Sequence, residues 1–278
     1  MLVLGSRARG KDRRPADEFS DLDLLIFARD PATYIEKAGW LYEIAPVVLT
    51  FLERSVAGHF ERRVLFTQGL DVDFNFLPSN FIHQLHRKTE SRVPPPEDFL
   101  AISELLAGVL QRGYRIVFDK DGFLADFISS LPAPTPPTLP NEKMLRNNID
   151  DFWYHALWTA KKLRRGELLT AKECLDGYMK DLFFRMVRTL ARAAKGPDYD
   201  TWHQVRFFEE WADGETLEAL PLLYARYDAT DMARALEATM AQYSRVARKA
   251  CELLGYSYPA ESEETIKTLV EKVLKVKG

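Results

Sequence analysis

Gly5-Ser6-Arg7-Ala8-Arg9-Gly10, entered from the strand-like Met1-Leu2-Val3-Leu4 and followed by Ser20-Asp21-Leu22-Asp23-Leu24-Leu25-Ile26-Phe27, decides the architecture of the first half of this chain. A strand alternates its side chains with a period of two, so Asp21 and Asp23 fall on one face while Leu22 and Leu24 fall on the other. Two adjacent carboxylates repel, and a hard divalent cation such as Mg²⁺ relieves the repulsion through oxygen coordination. A second alternating stretch, Gly69-Leu70-Asp71-Val72-Asp73-Phe74-Asn75-Phe76-Leu77, is expected beside the first and supplies a third carboxylate. Of its two acids we take Asp73, enclosed by Val72, Phe74 and Phe76, because a lone carboxylate in apolar surroundings needs a metal or a donor. Asp71, next to the Gly69 turn, reads as an exposed strand start.

Glycine at position 5 lets backbone amides come close to a phosphate, and the Ser6 hydroxyl adds a donor. A Gly-Ser turn in isolation is usually only a turn. Here the Asp-x-Asp that follows provides the other half of a metal-bound triphosphate site. Arg7 and Arg9 add positive charge nearby.

The chain has 278 residues with 46% hydrophobic composition, enough for two compact units. A formal net charge of -3 argues against a protein whose main affinity is for nucleic-acid phosphates and is compatible with a cationic small substrate. Only two cysteines occur, Cys174 and Cys251, both within helical-looking apolar stretches and without metal-ligand spacing. They read as packing thiols of a cytoplasmic protein. No secretion signal or bilayer-length apolar run is evident, so no membrane partner is expected. The expected assembly is a monomer or weak homodimer.

Strands are expected at Met1 to Leu4, Asp21 to Phe27, Ala45 to Phe51, Val64 to Phe66, Val72 to Leu77 and Tyr114 to Asp119. Pro46 makes the third an edge strand, or one that begins just after the proline. Helices are expected over Pro31 to Leu41, Asn80 to Leu85 and Pro96 to Leu110. The proline-rich run 132–140 reads as an extended spacer. It separates a mixed-sheet domain, 1–131, from an all-helical domain, 141–278, which together make an α+β chain with a functional cleft expected between the two. Helices in the second part are placed from Asn141 to Arg165, Glu167 to Ala194, Glu215 to Tyr227, Ala229 to Leu254 and Ser262 to Lys277.

On the first of these helices, Asp151, His155, Trp158 and Lys162 form a stripe opposite the apolar residues, with Tyr154 and Lys161 beside it. Charged stripes are usually solvated faces, but two large aromatics among the charges suit a ligand-facing surface. Asp119-Lys120-Asp121-Gly122 reads as a strand exit and turn. His83 and His86 have zinc-like spacing but no third ligand, so they are read as surface or packing residues.

Gly5-Ser6, Asp21-x-Asp23 and Val72-Asp73-Phe74 together resemble the signature of the DNA polymerase β-like nucleotidyltransferase superfamily. The charged insertion from Lys11 to Phe19, with Asp151-Phe152-Trp153, Lys161, Arg164, Glu167 and Arg185-Met186, is similar to the aminoglycoside 6-adenylyltransferases, also called streptomycin adenylyltransferases. The resemblance implies transfer of AMP from ATP to an aminoglycoside hydroxyl, with pyrophosphate released. It implies two Mg²⁺ ions at Asp21, Asp23 and Asp73, with Asp73 also placed to accept the hydroxyl proton, and Gly5, Ser6 and Arg7 near the phosphates. Lys161 or Lys162 is expected at the nucleotide phosphates, and Asp150 or Asp151 at a guanidinium or ammonium of the drug, beside Tyr154 and Trp158. The family carries a helix before the first strand; here the expectation is that the chain starts upstream of Met1 or that another element covers that face of the sheet. An enzyme acting on another hydroxyl acceptor, or a non-catalytic nucleotide-binding module, is the alternative.

Overall fold

The computed structural model describes residues 1–10, 14, 16–55, 58–82 and 97–275, with only the backbone described for 97–100. Part of the 11–19 insertion, both His83 and His86, and residues 83–85 of the helix expected from Asn80 lie outside the described residues; 80–82 are helical. Two compact units emerge, Met1–Thr135 and Pro136–Gly278.

The first unit is built on a mixed sheet of β1 (Leu2–Val3), β2 (Leu22–Ala28), β3 (Val47–Arg54), β4 (Phe60–Phe66), β5 (Asp71–Pro78) and β6 (Arg115–Ile116). Their order is β3-β4-β5-β2-β1-β6. β2 and β5 run parallel, whereas the other neighbours are antiparallel. Alternation places Leu24, Val72, Phe74 and Phe76 in a core on one face, and Leu2, Leu4 and Leu25 in a core on the other. Helix α1 (Pro31–Glu36) serves the first face, while α2 (Glu97–Leu110) and α3 (Leu124–Ser129) contribute Leu106, Leu110, Leu124 and Phe127 to the second. Both faces of the central strands β1, β2 and β5 are thus covered, whereas β3 at the sheet edge is largely exposed.

Several elements depart from expectation. β4 starts at Phe60, not Val64, because Glu61 and Arg63 point to one side while the buried Arg62 donates to the Tyr34 and Ile35 carbonyls at the end of α1. The helix expected through Leu41 stops at Glu36, and a 3₁₀ turn, Gly39–Glu43, follows; the intervening Lys37 is extended. The strand expected from Tyr114 to Asp119 is only Arg115–Ile116, since its partner β1 offers two residues before the chain turns at Gly5. Beyond it, Asp119 accepts bonds from the Gly122 and Leu124 amides at 3.0 and 2.9 Å, forming the expected turn and starting α3.

Among its described residues the second unit contains helices and connecting turns. They are α4 (Glu142–Arg164), α5 (Leu168–Glu173), α6 (Met179–Lys195), α7 (Phe208–Trp211), α8 (Gly214–Leu223), α9 (Ala229–Leu254) and α10 (Ala260–Lys275). Asn141 caps α4 by accepting the Met144 amide at 2.9 Å, and Asp228 caps α9 by accepting the Asp231 amide at 2.9 Å. Gly255, with φ +71°, ends α9 in the left-handed conformation that glycine adopts without strain. Leu145, Ile149, Phe152, Trp153, Ala156 and Ala160 recur at helical spacing and are buried. Phe152 stacks on Tyr243 of α9 with ring centroids 3.5 Å apart, and burying side chains of this size contributes about 1.5–3 kcal/mol each.

The helix expected across 167–194 is broken by a π-helical turn, Cys174–Tyr178. That expected through Tyr227 ends at Leu223, where Arg234 donates to the Leu222 and Tyr224 carbonyls at 2.8 and 3.1 Å and satisfies the helix terminus. Cys174 and Cys251 are free and buried. Among the described residues no helix is long and apolar enough to cross a membrane.

Candidate active site

Parallel pairing of β2 with β5 sets Asp23 directly beside Asp73, and Asp21 stands just before β2 on the same side. Ligand oxygens of Asp21, Asp23 and Asp73 lie within 4.8 Å of one another. Their exposure falls from Asp21, which is open to solvent, to Asp73, which is buried. Burial pushes the Asp73 carboxyl up to about 6; Arg63 opposes this, while Glu61, Asp23 and Asp21 push further upward. Three converging oxygen donors around a costly buried charge fit a hard divalent cation.

Gly5 completes this arrangement. Its φ is +64°, and a Cβ there would overlap a carboxylate oxygen of Asp23. Only glycine therefore lets the turn lie against the carboxylate. The Leu4 amide donates to the Asp23 carbonyl at 2.9 Å, securing the turn to β2. Ser6 Oγ is buried and, among the described residues, has no hydrogen-bond partner. Arg7 spends its guanidinium on backbone, donating to the Asp21 carbonyl at 2.9 Å and the Ser20 carbonyl at 2.6 Å. It thereby fixes the approach to the Asp-x-Asp strand.

The sequence reading missed Arg63 and Glu61. Arg63 is directly opposite Asp73 in the β4–β5 ladder and reaches its carboxylate at 3.3 Å. The same guanidinium contacts Glu53 at 2.7 Å and Glu61 at 3.1 Å. Glu61-Arg62-Arg63 runs three charges together before Val64, so no period-two pattern marked these residues as strand.

In the second unit, Asp150 is paired with Arg146 at 2.9 Å, whereas Asp151 contacts His155 Nδ1 at 2.8 Å and accepts the Tyr178 hydroxyl at 2.9 Å. The π-helical turn ends at Tyr178, whose ring lies 4.4 Å from that of His155. Tyr154 is exposed, and Trp158 is half-buried against the helical core. Lys162 donates to Glu167 at 2.6 Å and lies 5.0 Å from the Trp158 ring centroid, while Lys161 is exposed.

A mixed sheet presenting a glycine-serine turn and clustered carboxylates, joined to a helical unit, defines a nucleotidyltransferase-type enzyme. The family model for streptomycin adenylyltransferase matches residues 1–273, and the chain belongs to that family. It is 22% identical over 269 residues to an aminoglycoside 6-adenylyltransferase of Campylobacter jejuni, with 95% of this chain and 86% of that protein covered. It is 21% identical over 269 residues to the Bacillus subtilis (strain 168) enzyme of the same name, covering 94% and 87% respectively. A crystal structure of an aminoglycoside 6-adenyltransferase from Bacillus subtilis aligns with a TM-score of 0.49 and 19% identity, over 93% of this chain and 90% of that one.

Proposed function

We propose that the chain transfers the adenylyl group of ATP to a hydroxyl of a streptomycin-like aminoglycoside and releases pyrophosphate. The observation carrying this reading is the convergence of Asp21, Asp23 and Asp73 within 4.8 Å beside the Gly5 turn, in a chain of this family. These carboxylates would hold two Mg²⁺ ions, which when bound neutralise the triphosphate and acidify the acceptor hydroxyl. The bare backbone at Gly5 admits the phosphates, and Ser6 Oγ supplies a donor to them. Asp73, with its carboxyl pushed up to about 6, is suited to accept the acceptor's proton. The bond from acceptor oxygen to the α-phosphorus forms as the bond to pyrophosphate breaks, so catalysis rests on placement and charge. Arg7 contributes by holding the Ser20–Asp21 backbone.

The helical unit is the proposed drug-binding part. Asp151, oriented by His155 and Tyr178, is suited to a guanidinium or ammonium, and Tyr154 and Trp158 provide flanking aromatic surface. Asp150 is the second acid on this surface. Lys161, rather than the Glu167-bound Lys162, is the better proposal for a phosphate contact.

Incubation of the protein with ATP, Mg²⁺ and a panel of aminoglycosides including streptomycin should yield adenylylated drug and pyrophosphate. Absence of product across the panel would overturn the reading. Asp21→Asn should abolish product while retaining the fold, separating an enzyme from a binding module.

A further inference from the structure

Lys172, Asp176 and Lys180 gather at the π-helical turn Cys174–Tyr178, in the interior of the helical unit. Lys172, on α5, pairs with the Asp176 carboxylate and donates to the Ala225 carbonyl at 2.6 Å. Lys180, on α6, is 2% exposed, and its ammonium lies 3.8 Å from Asp176. It donates to the Leu175 carbonyl inside the turn at 3.1 Å and to Thr239 Oγ1 on α9 at 2.9 Å. Withdrawing such charges from water is costly unless each is paired, so the cluster exists only where the backbone holds its members together.

Cluster and turn depend on one another. Residues eight apart in a continuous α-helix point about 80° away from each other, at about 100° per residue. A π-helical turn absorbs one extra residue, which cuts the offset between Lys172 and Lys180 to about 20° and lets both approach Asp176. The turn ends at Tyr178, whose hydroxyl donates to one Asp151 oxygen at 2.9 Å and whose ring lies 4.4 Å from that of His155. His155 Nδ1 contacts the other Asp151 oxygen at 2.8 Å. Leu175 and Asp176 are thus clamped from the interior, while Tyr178, two residues on, is aimed at an acid of α4.

We propose that the Lys172–Asp176–Lys180 cluster is a positioning device for drug binding: it holds the π-helical turn in the geometry from which Tyr178 orients Asp151 toward a cation of the drug. This rests on the reading above that Asp151 receives that cation. With Tyr178 and His155 on separate oxygens the carboxylate cannot rotate, so it meets a guanidinium or ammonium already ordered. A relaxed turn carries Tyr178 away and frees the carboxylate, which weakens drug binding and leaves ATP binding and the chemical step unchanged.

Steady-state adenylylation of streptomycin by the full chain should be compared for wild type, Asp151→Asn, Tyr178→Phe, Lys180→Met and the double variant of the last two, with thermal melts to show that each is folded. Tyr178→Phe and Lys180→Met should each raise the KM for streptomycin roughly tenfold, while kcat and the KM for ATP stay within about twofold of wild type. The double variant should be no worse than the worse single one, because both changes act through one hydroxyl. Effects that multiply, equal losses for drug and ATP, or a KM raised by only one of the single variants would make Lys180 a merely structural residue and overturn the proposal. Where Lys180→Met does not fold, Asp176→Asn, which removes the central charge and keeps the shape, decides in its place. If wild type does not turn over streptomycin, or Asp151→Asn leaves its KM unchanged, the drug-binding reading of Asp151 falls, and this proposal with it.

Discussion

Arg63 and Asp73 face one another across the β4–β5 ladder, with a guanidinium nitrogen 3.3 Å from the carboxylate. Glu53 and Glu61 grip the same guanidinium at 2.7 and 3.1 Å, so its position is set by β3 and β4 as well as by Asp73. A fixed cation this close, although its guanidinium is 41% exposed and partly screened by solvent, orients the carboxylate and opposes an entering metal. Arg63→Gln should therefore tighten Mn²⁺ binding to the nucleotide-free protein while lowering turnover about tenfold through loss of orientation. Arg63→Lys should lie between the two. Mn²⁺ titration followed by paramagnetic resonance, with steady-state rates, checks the opposed signs; weaker Mn²⁺ binding with unchanged turnover would contradict them.

Asp73 is buried and its carboxyl is pushed up to about 6 in spite of Arg63 beside it, so its ionised form is strained at neutral pH when no metal ion is bound. Replacing it by asparagine should stabilise the metal-free protein by about 1–3 kcal/mol at neutral pH while abolishing turnover. Mg²⁺ should then raise the melting temperature of wild type but not of Asp73→Asn, because the variant has lost the linkage between binding and folding. Melting curves with EDTA and with Mg²⁺ test both statements.

Gly5 and Gly69 share a positive φ, +64° and +79°, but differ in what surrounds them. A Cβ at Gly5 meets the Asp23 carboxylate, whereas one at Gly69 meets nothing within 4 Å. Gly69→Ala should cost only the backbone strain, about 1–2 kcal/mol, and leave turnover near wild type. Gly5→Ala carries the same strain and also displaces Asp23, so its tripolyphosphate affinity and turnover should collapse. Equal turnover in the two variants would remove Gly5 from the site.

The carboxylate pair was readable because β2 and β5 alternate cleanly, and period two alone puts Asp21 with Asp23 and sets Asp73 apart from Phe74. Helix α9 was equally plain: Asp228 and Gly255 mark its ends, so the expected span Ala229 to Leu254 is the observed one. Arg63 was hidden because Phe60-Glu61-Arg62-Arg63 reads as charged surface, although ladder pairing buries Glu61 and Arg62. Charge counting assigns such residues to solvent unless their partners, here Asp73 and the α1 carbonyls, are known. The π-helical turn at Cys174–Tyr178 was hidden for another reason. It redirects Tyr178 toward Asp151 by a local change of hydrogen bonding that side-chain periodicity does not encode.

Lys180 supplies a test confined to the helical unit. Its side chain is 2% exposed and donates to the Leu175 carbonyl at 3.1 Å and Thr239 Oγ1 at 2.9 Å, with Asp176 at 3.8 Å. Burial nevertheless pushes its pKa down to about 8, Asp176 offsetting only part of the effect. Between that value and the ordinary lysine value of 10.5, the unfolded chain binds more protons than the folded one, so this group's contribution to stability rises with pH. Across the full window the gain is about 3 kcal/mol. Cysteine and tyrosine ionisation act in the same range, so the comparison is between wild type and Lys180→Met. The stability of wild type relative to the variant, from urea unfolding, should increase between pH 7.5 and pH 10, by up to about 3 kcal/mol. A difference that stays constant would mean that the folded protein holds Lys180 charged throughout, with Asp176 compensating its burial.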